Sequence, residues 1–309
     1  MKALALHLAL IAVLFALQFV LPPYHHTNIV RVMVLAVFAM GYNIAFGYTG
    51  LLSLGHALFF GAGMYTVGLL ATGGGSALLA LPAGVLAGGA AAFAVGLLAL
   101  RTAGVSFMIV TLMFAQAGYL TVLYFGAFTG GDEGFVIPNA ARALGPFDLS
   151  TDTPRYFAGL ALFAVALLVN LALVRSPIGR VMVAMRENEE RSRMLGYNPF
   201  TVKLFALSVS GLYAGAAGAA YALMFGYVGA SFAAIQYSIL PLLWVLLGGA
   251  GTVLGPFVGA LLMFYLIDLS SSVTTAHQMV VGVALLALVL FAPKGVLGAL
   301  RDIGLKWLP

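Results

Sequence analysis

Polar side chains suited to binding a small solute surround one glycine-rich interruption in a long apolar run. The interruption covers residues 47–56, which read GYTGLLSLGH, inside the apolar block 29–72. Ser53 and His56 lie three positions apart and would share a helix face if helix resumes there. The candidate residues for a substrate pathway are Asn43, Tyr48, Thr49, Ser53 and His56.

Two interpretations of these side chains are open. Small hydroxyls such as Ser53 often join helices by hydrogen bonds inside a membrane bundle. An ionisable side chain such as His56 is rare inside an apolar segment and marks a functional site by default. We therefore expect the interruption to line a solute pathway, with helix packing as the alternative.

Catalytic and metal chemistry are not indicated. Ser53 and His56 have no Asp or Glu nearby in the sequence that would complete a catalytic triad. The chain has no cysteine and its five histidines are scattered, so disulfides, thiolate sites and a metal centre are not expected. We predict a protein that is not an enzyme and holds no cofactor of its own.

The composition is that of a membrane protein. Hydrophobic residues make up 63% of the chain and charged residues 7%, with a mean hydropathy of +1.09. Soluble domains are about 25% charged. The net charge of +5 comes from bases that lie between the apolar runs, which favours positively charged cytoplasmic loops over nucleic-acid binding.

The apolar runs predict an all-α polytopic helical bundle of about ten spans, forming one transmembrane domain over residues 1–309. About 20 residues cross a bilayer, so the blocks 29–72 and 235–270 must each hold two short or re-entrant helices. Their breaks are 47–56 and the glycine-rich 248–256. No cleavage site follows the first run, which we interpret as a retained span, with 24–28 as an external loop. The other predicted spans are 3–21, 77–100, 104–125, 156–174, 203–225 and 277–292.

Broken helices are also where transporters commonly build solute sites, near the middle of the membrane. Asp268 falls near the outer end of its span, which favours an interfacial position over a proton relay. Further glycines recur every fourth residue, a spacing that lets helices pack closely. These series are Gly84/Gly88, Gly211/Gly215 and Gly251/Gly255/Gly259.

One segment, residues 175–203, concentrates charge between apolar runs. It holds nine of the charged residues of a chain that has 14 bases and 9 acids in all. Six of the nine are basic, whereas the loop 126–155 has four acids and two bases, so the positive-inside rule places 175–203 and both termini in the cytoplasm. From Ser176 to Gly196 the pattern predicts one amphipathic helix. Its expected ion pairs are Arg186–Glu190, Glu187–Arg191 and Glu189–Arg193.

The amphipathic helix is either a solvated connector or a docking element for a cytoplasmic partner. None of the four lysines lies in a GxxxxGK[ST] setting, so the chain has no phosphate-binding loop of that kind. It also lacks an array of intramembrane carboxylates that would indicate proton coupling. A separate ATPase subunit that binds ATP is therefore favoured. The rival is a self-sufficient secondary transporter or channel.

Four motifs, in order over about residues 28–300, carry a family resemblance. The stretch from Gly47 to Ala71, the loop 128–134 with its Thr-Gly-Gly, the segment 176–196 and the glycines of 248–260 resemble those of the LivM-type permease subunit of bacterial branched-chain amino-acid ABC importers. The resemblance implies a cell inner membrane location. It also implies three kinds of protein partner besides the amino-acid substrate and the lipid bilayer: a second homologous permease, two ABC ATPase subunits and a periplasmic solute-binding protein.

The resemblance identifies the charged segment as the coupling element to the ATPases. Its residues there are Arg186, Glu187, Glu190 and Gly196. Such importers generally have Glu-Ala-Ala-x-x-x-Gly, and this chain keeps the Glu and the Gly but not the two alanines. The family also includes importers of urea and short amides, which is the alternative substrate class.

Overall fold

The computed structural model describes residues 2–273 and 294–303, together with positions 276, 279–280, 282–283, 286 and 290. The predicted span 277–292 therefore lies largely outside the described residues. The helices are α1 Lys2–Val20, α2 Pro23–Asn43, α3 His56–Thr72, α4 Ala77–Ala99, α5 Val105–Tyr124, α6 Gly126–Thr129, α7 Asp152–Arg175, α8 Pro177–Glu187, α9 Glu189–Met194, α10 Pro199–Phe225, α11 Ile235–Gly248, α12 Gly255–Val273 and α13 Gly295–Ile303. A π-helical turn, Ile44–Tyr48, continues α2, and 3-10 turns cover Asn139–Arg142 and Ala230–Ala233.

Within the described residues, six helices are long and apolar enough to cross a membrane: α2 with its π-helical turn, α4, α5, α7, α10 and α12. Three further apolar helices, α1, α3 and α11, are shorter. The chain is thus an all-α, multi-pass membrane protein, as the hydropathy predicts. The breaks expected near 47–56 and 248–256 are both present, because α2 and α3, and α11 and α12, are separated there.

Residues 24–28 belong to α2, so the prediction of an external loop there is wrong. Pro23 is the first residue of the helix. Proline suits that position because its fixed φ matches the helix and the N–H that it lacks would have no partner there. Asn28 is already buried in the bundle.

Helix α2 is the centre of the bundle. In its most apolar window 83% of the residues are buried, against 17% in α5. It packs against α7, α10, α11 and α12, and Phe38 in its middle is fully enclosed. Helix α5 therefore lies at the periphery, with most of its apolar surface outside this chain's own core.

Helices α4 and α10 touch backbone to backbone at their glycines. A Cβ built on Gly88 would lie 2.5 Å from the Cα of Gly215, and one built on Gly211 would lie 2.7 Å from the carbonyl oxygen of Gly88. A Cβ on Gly84 would meet the carbonyl oxygen of Gly63 in α3 at 2.8 Å. Larger side chains would separate these helices, so the packing prediction for both glycine pairs is confirmed.

The third glycine series behaves as predicted at two of its three positions. Cβ atoms on Gly255 and Gly259 would lie 3.2 and 2.9 Å from backbone atoms of Gly248 in α11. Gly251 instead lies in the turn between the two helices, with φ +76. Only glycine adopts that conformation at low cost, so this residue serves the break and not the helix contact.

The loop between α6 and α7 forms short strands at one end of the bundle, here called the strand end. Strand β1, Phe135–Val136, pairs antiparallel with β4, Tyr227–Val228, and β2, Ala143–Leu144, pairs with β3, Phe147–Asp148. The opposite end carries residues 175–203, here called the charged segment.

Arg142 holds the strand-end loop against α10. Its Nε donates to the carbonyl oxygen of Leu223 at 2.6 Å, and its NH2 group donates to that of Met224 at 2.5 Å. These carbonyls belong to the last turn of α10, where helix carbonyls lack partners and favour a cation. Burial lowers the pKa of the Arg142 guanidinium; the charge of Arg155 adds to this and that of Asp148 opposes it.

Candidate functional site

The first break is built from the π-helical turn that ends α2 and from the seven residues 49–55, which are not helical. The Thr49 hydroxyl donates to the carbonyl oxygen of Ile44 at 2.8 Å, inside the π-helical turn. Gly50 follows with φ +75, a conformation that glycine adopts readily. The chain then runs without regular structure until α3 begins at His56. Widened turns of the π type are frequent at functional sites.

Asn43 joins the first break to the second. Its side-chain nitrogen donates to the carbonyl oxygen of Thr252 at 2.9 Å, and its side-chain oxygen accepts from the backbone N–H of Gly251 at 2.9 Å. The Thr252 hydroxyl in turn accepts from the N–H of Gly255 at the start of α12. The two glycine-rich interruptions, more than 200 residues apart in sequence, therefore form one structure.

Side chains from other helices satisfy the backbone at the start of α3. The N–H of Ala57 donates to Ser238 of α11 at 2.8 Å, and the N–H of Leu54 donates to Thr111 of α5 at 3.1 Å. The first N–H groups of any helix lack intrahelical partners. The chain's own hydroxyls thus occupy positions at which a polar solute could otherwise bind.

His56 is fully buried at this helix start. Its Nε2 lies 2.7 Å from the Ser210 hydroxyl of α10, and its ring is 4.6 Å from that of Tyr42. Its Nδ1 and the Tyr42 hydroxyl make no hydrogen bond of normal geometry within the described residues. Unpaired buried polar atoms are costly, so these two atoms are open to a partner in another conformation.

Ser53 lies before the helix, so the predicted shared helix face with His56 is wrong. Its hydroxyl accepts from the N–H of Gly55 at 3.2 Å, a hydrogen bond within the irregular segment itself. Ser53 and His56 are nevertheless both fully enclosed. Asn43, Tyr48 and Thr49 are buried as well, each no more than 3% exposed.

Both breaks lie at the charged-segment end of the bundle. The guanidinium of Arg186 donates to the carbonyl oxygen of Gly47, and a Cβ built on Gly251 would be 3.0 Å from the same guanidinium. Helix α2 and its π-helical turn together cover 26 residues, about 39 Å at 1.5 Å per residue. That exceeds the hydrocarbon core of about 30 Å.

The charged segment is two helices, not the single one predicted. Ser176 accepts from the N–H of Gly179 and caps α8, as expected. Asn188 then leaves the helix with φ −157 and ψ 102, and its side chain caps α9 by accepting from the N–H of Arg191 at 2.9 Å. Asparagine favours such cap positions because its side chain competes for backbone groups.

The interruption at Asn188 changes the ion pairs within the charged segment. Of the three predicted pairs, the described residues form only Glu189–Arg193, at 3.9 Å. Glu189 also binds Lys203 at 2.5 Å and so fastens α9 to α10. Glu187 and Glu190 are exposed, and Gly196, with φ +90, is exposed in the turn after α9.

A groove of about 1080 Å³ opens between the charged segment and the first break. Its walls come from residues 49–52, the turn between α4 and α5, and residues 185–203. Arg186, Glu189 and Lys203 place charge inside it. The groove therefore runs from the first break to Gly196, in the turn after α9.

A third irregular segment, 226–234, escaped the sequence analysis. It leaves the end of α10 and runs along α3: Val228 lies beside Gly68, and Ala233 beside Gly61. Gly226, with φ +69, makes the turn. Two glycines in this stretch were the available signal, but the surrounding apolar residues concealed it.

A bundle of broken apolar helices, joined through their breaks and carrying a charged segment at one end, is the architecture of a membrane permease. The chain belongs to the family described as "Branched-chain amino acid transport system / permease component", whose model matches residues 26–292. Family and fold agree with the resemblance that the four sequence motifs carry.

Three relatives are each 30% identical to this chain over the aligned residues. The high-affinity branched-chain amino acid transport system permease proteins LivM of Salmonella typhimurium and Escherichia coli are each 30% identical over 292 residues, covering 87% of this chain and 69% of the relative. The autoinducer 2 import system permease protein LsrC of Photorhabdus laumondii is 30% identical over 145 residues, covering 43% of this chain and 42% of the relative. No solved structure matches the chain significantly.

Proposed function

We propose that this chain is the permease subunit of an ABC importer for branched-chain, hydrophobic amino acids. It forms half of the translocation pathway as one transmembrane domain, and ATPase subunits drive it. The permease role follows from the family. The substrate class is supported by the two LivM relatives, which cover most of the chain.

The observation that carries the coupling proposal is the contact between Arg186 and Gly47. It joins the one charge-dense segment to the one break that holds the buried His56. ATPase closure would push on the surface around Glu187, Glu190 and Gly196. That motion would reach the first break through Arg186, and the second break through Asn43.

The pathway residues in this proposal are those around the first break. In the present conformation Asn43 binds the backbone of residues 251–252 and His56 binds Ser210, which in this proposal is the closed state of a gate. Opening exposes the side chains of Asn43, Tyr48, Thr49, Ser53 and His56 to the pathway. An element whose polar groups exchange one set of partners for another has two such states, and a ligand that prefers one of them shifts the balance.

The partners in this proposal are a second homologous permease, two ABC ATPase subunits and a periplasmic solute-binding protein. The assembly lies in the bacterial inner membrane, with the charged segment and both termini in the cytoplasm. ATP is bound by the ATPases, and this chain needs no cofactor. The +5 charge and the bases of 175–203 support that orientation.

Transport in vesicles tests the proposal. The chain is reconstituted with the transport components encoded beside it, and uptake of radiolabelled leucine and of radiolabelled urea is measured with and without internal ATP. We expect leucine uptake that needs both ATP and the ATPases. Uptake by the chain alone along an ion gradient would support the secondary-transporter rival, and uptake of urea alone would overturn the substrate class.

A further inference from the structure

A second cavity lies near the strand end, between α2, α11 and α12. It measures about 300 Å³, at the lower end of the range of about 300–1,000 Å³ for small-molecule sites. Leu35, Trp244 and Phe264 form an apolar wall, while Arg31 and Asp268 bring opposite charges to the same space. No residue of the first break or of the charged segment lines it.

Two contacts fix the position of this cavity along the bundle. The Tyr24 hydroxyl donates to the Asp268 carboxylate at 2.8 Å, and His25 lies 3.2 Å from the Tyr265 hydroxyl. Tyr24 and His25 belong to the first turn of α2. The cavity is therefore at the end opposite to the breaks, which is the outer end in the proposed orientation.

Arg31 is the unusual member of this cavity. It lies eight positions after the start of α2, about 12 Å along the helix axis. Its guanidinium carbon is 4.9 Å from the centre of the Phe225 ring. Its Nε is buried without a hydrogen bond, and no ion pair engages it among the described residues.

A cation at this depth in a membrane-spanning helix is energetically costly. Charged side chains inside spans are rare and mark solute pathways. Arg31 does not pair with the carboxylate of Asp268, although both line a cavity of only about 300 Å³. Among the described residues, the site therefore presents a cation that rests on the Phe225 ring without a carboxylate partner, and an anion held by Tyr24, in one cavity with an apolar wall.

We propose that this cavity binds the zwitterion of an aliphatic amino acid on its way to the first break. The ligand carboxylate pairs with the Arg31 guanidinium, whose planar donors fit a carboxylate. The ligand ammonium pairs with Asp268, and the side chain packs on Leu35, Trp244 and Phe264. This inference rests on the proposed function, because it names how the permease would recognise that class of substrate.

Site-specific labelling tests the binding. The chain has no cysteine, so a single Ser271→Cys places one thiol at the exposed edge of the cavity. In the assembled importer in lipid nanodiscs, we expect millimolar L-leucine to slow maleimide labelling of this thiol. The matched control is Val136→Cys, on an exposed strand outside the cavity, whose labelling should not change.

Two ligand analogues and three variants assign the charged groups of the ligand to Arg31 and Asp268. Leucinamide lacks the carboxylate and 4-methylpentanoate lacks the ammonium, so neither should protect Ser271→Cys as leucine does. Adding Arg31→Met should weaken protection by leucine about ten-fold or more, where ten-fold is about 1.4 kcal/mol. Arg31→Lys should restore part of it, and Asp268→Asn should weaken protection as Arg31→Met does.

ATP-driven leucine uptake is measured on the same preparations. This measurement separates an error in the proposed binding site from an error in the proposed transport function. Normal uptake together with no protection of Ser271→Cys overturns the site and leaves the function standing. Equal protection by leucine and leucinamide overturns the role of Arg31. Absence of ATP-driven uptake of any amino acid overturns the function itself.

Discussion

The guanidinium of Arg186 donates a hydrogen bond to the carbonyl oxygen of Gly47, across 139 positions of sequence. Gly47 lies in the π-helical turn at the end of α2, and Arg186 lies in the last turn of α8. Helix-end carbonyls lack partners within the helix, so a charged donor stabilises the turn. A displacement of the charged segment therefore removes a specific support from the first break.

Replacing Arg186 by alanine should uncouple transport from ATP hydrolysis. Hydrogen bonds to charged groups contribute about 1.5–3 kcal/mol, so we expect a change of about ten-fold or more in leucine taken up per ATP hydrolysed. Arg180→Ala is the matched control, because Arg180 is an exposed arginine on the same helix. Equal ratios for the two variants would show that the contact with Gly47 does not transmit the motion.

Replacing Asn43 by alanine should destabilise the joined breaks. The side chain makes two hydrogen bonds that connect them, and leaving their partners unpaired costs about 1–3 kcal/mol each. We expect a lower midpoint of thermal unfolding in nanodiscs, measured by the loss of helical secondary structure on heating. Asn170→Leu provides the control, since both polar atoms of the buried Asn170 lack hydrogen bonds within the described residues. Asn170→Leu should unfold at the wild-type temperature or higher. A larger drop in the unfolding midpoint for Asn170→Leu than for Asn43→Ala would contradict the proposed role of Asn43.

Enlarging Gly88 should separate α4 from α10. A Cβ there would lie 2.5 Å from the Gly215 backbone, which cannot move like the end of a flexible side chain. Overpacking of this kind costs about 1–3 kcal/mol, and Gly88→Val should lower the yield of folded protein and its unfolding midpoint. Ala90→Val, on the exposed face of the same helix, should leave both near wild type. Comparable losses at the two positions would mean that helix propensity rather than contact is responsible.

Removing Arg142 should release the strand-end loop. Arg142→Ala loses donors to the last carbonyls of α10 and to Leu149, so we expect faster limited proteolysis within residues 126–151. Arg155→Ala is the control, because Arg155 donates to Asp152 and Thr27, which lie outside residues 126–151. Its cleavage rate should match wild type, and a wild-type rate for Arg142→Ala would show that the strands alone hold the loop.

The sequence predicts well those features that depend on composition and local spacing. Hydropathy predicts the multi-pass all-α fold, and four-residue spacing predicts the contact of Gly88 with Gly215. Glycine-rich interruptions predict both helix breaks. In each case the signal is local, because the same residues that carry the pattern make the structure.

Features that depend on distant partners are not predictable in this way. Nothing near Asn43 indicates that it binds Thr252, and nothing near Ser210 indicates that it lies beside His56. The position of the breaks at the charged-segment end depends on Arg186, which a helical wheel assigns to a solvent-facing arc. The helix end at Asn188 has a local signal, the preference of asparagine for caps, which the amphipathic periodicity outweighed.

If ATPase action on the charged segment opens the first break, a thiol placed in that break must become more accessible during ATP hydrolysis. Ser53→Cys places the only thiol of this chain at a fully buried position in that break. In the assembled importer the account predicts slow labelling by a soluble maleimide at rest, much faster labelling during ATP hydrolysis, and no acceleration in the Arg186→Ala background. If Ser53→Cys is labelled at the same rate with and without ATP while leucine uptake proceeds, the first break is not the gate and the account is contradicted.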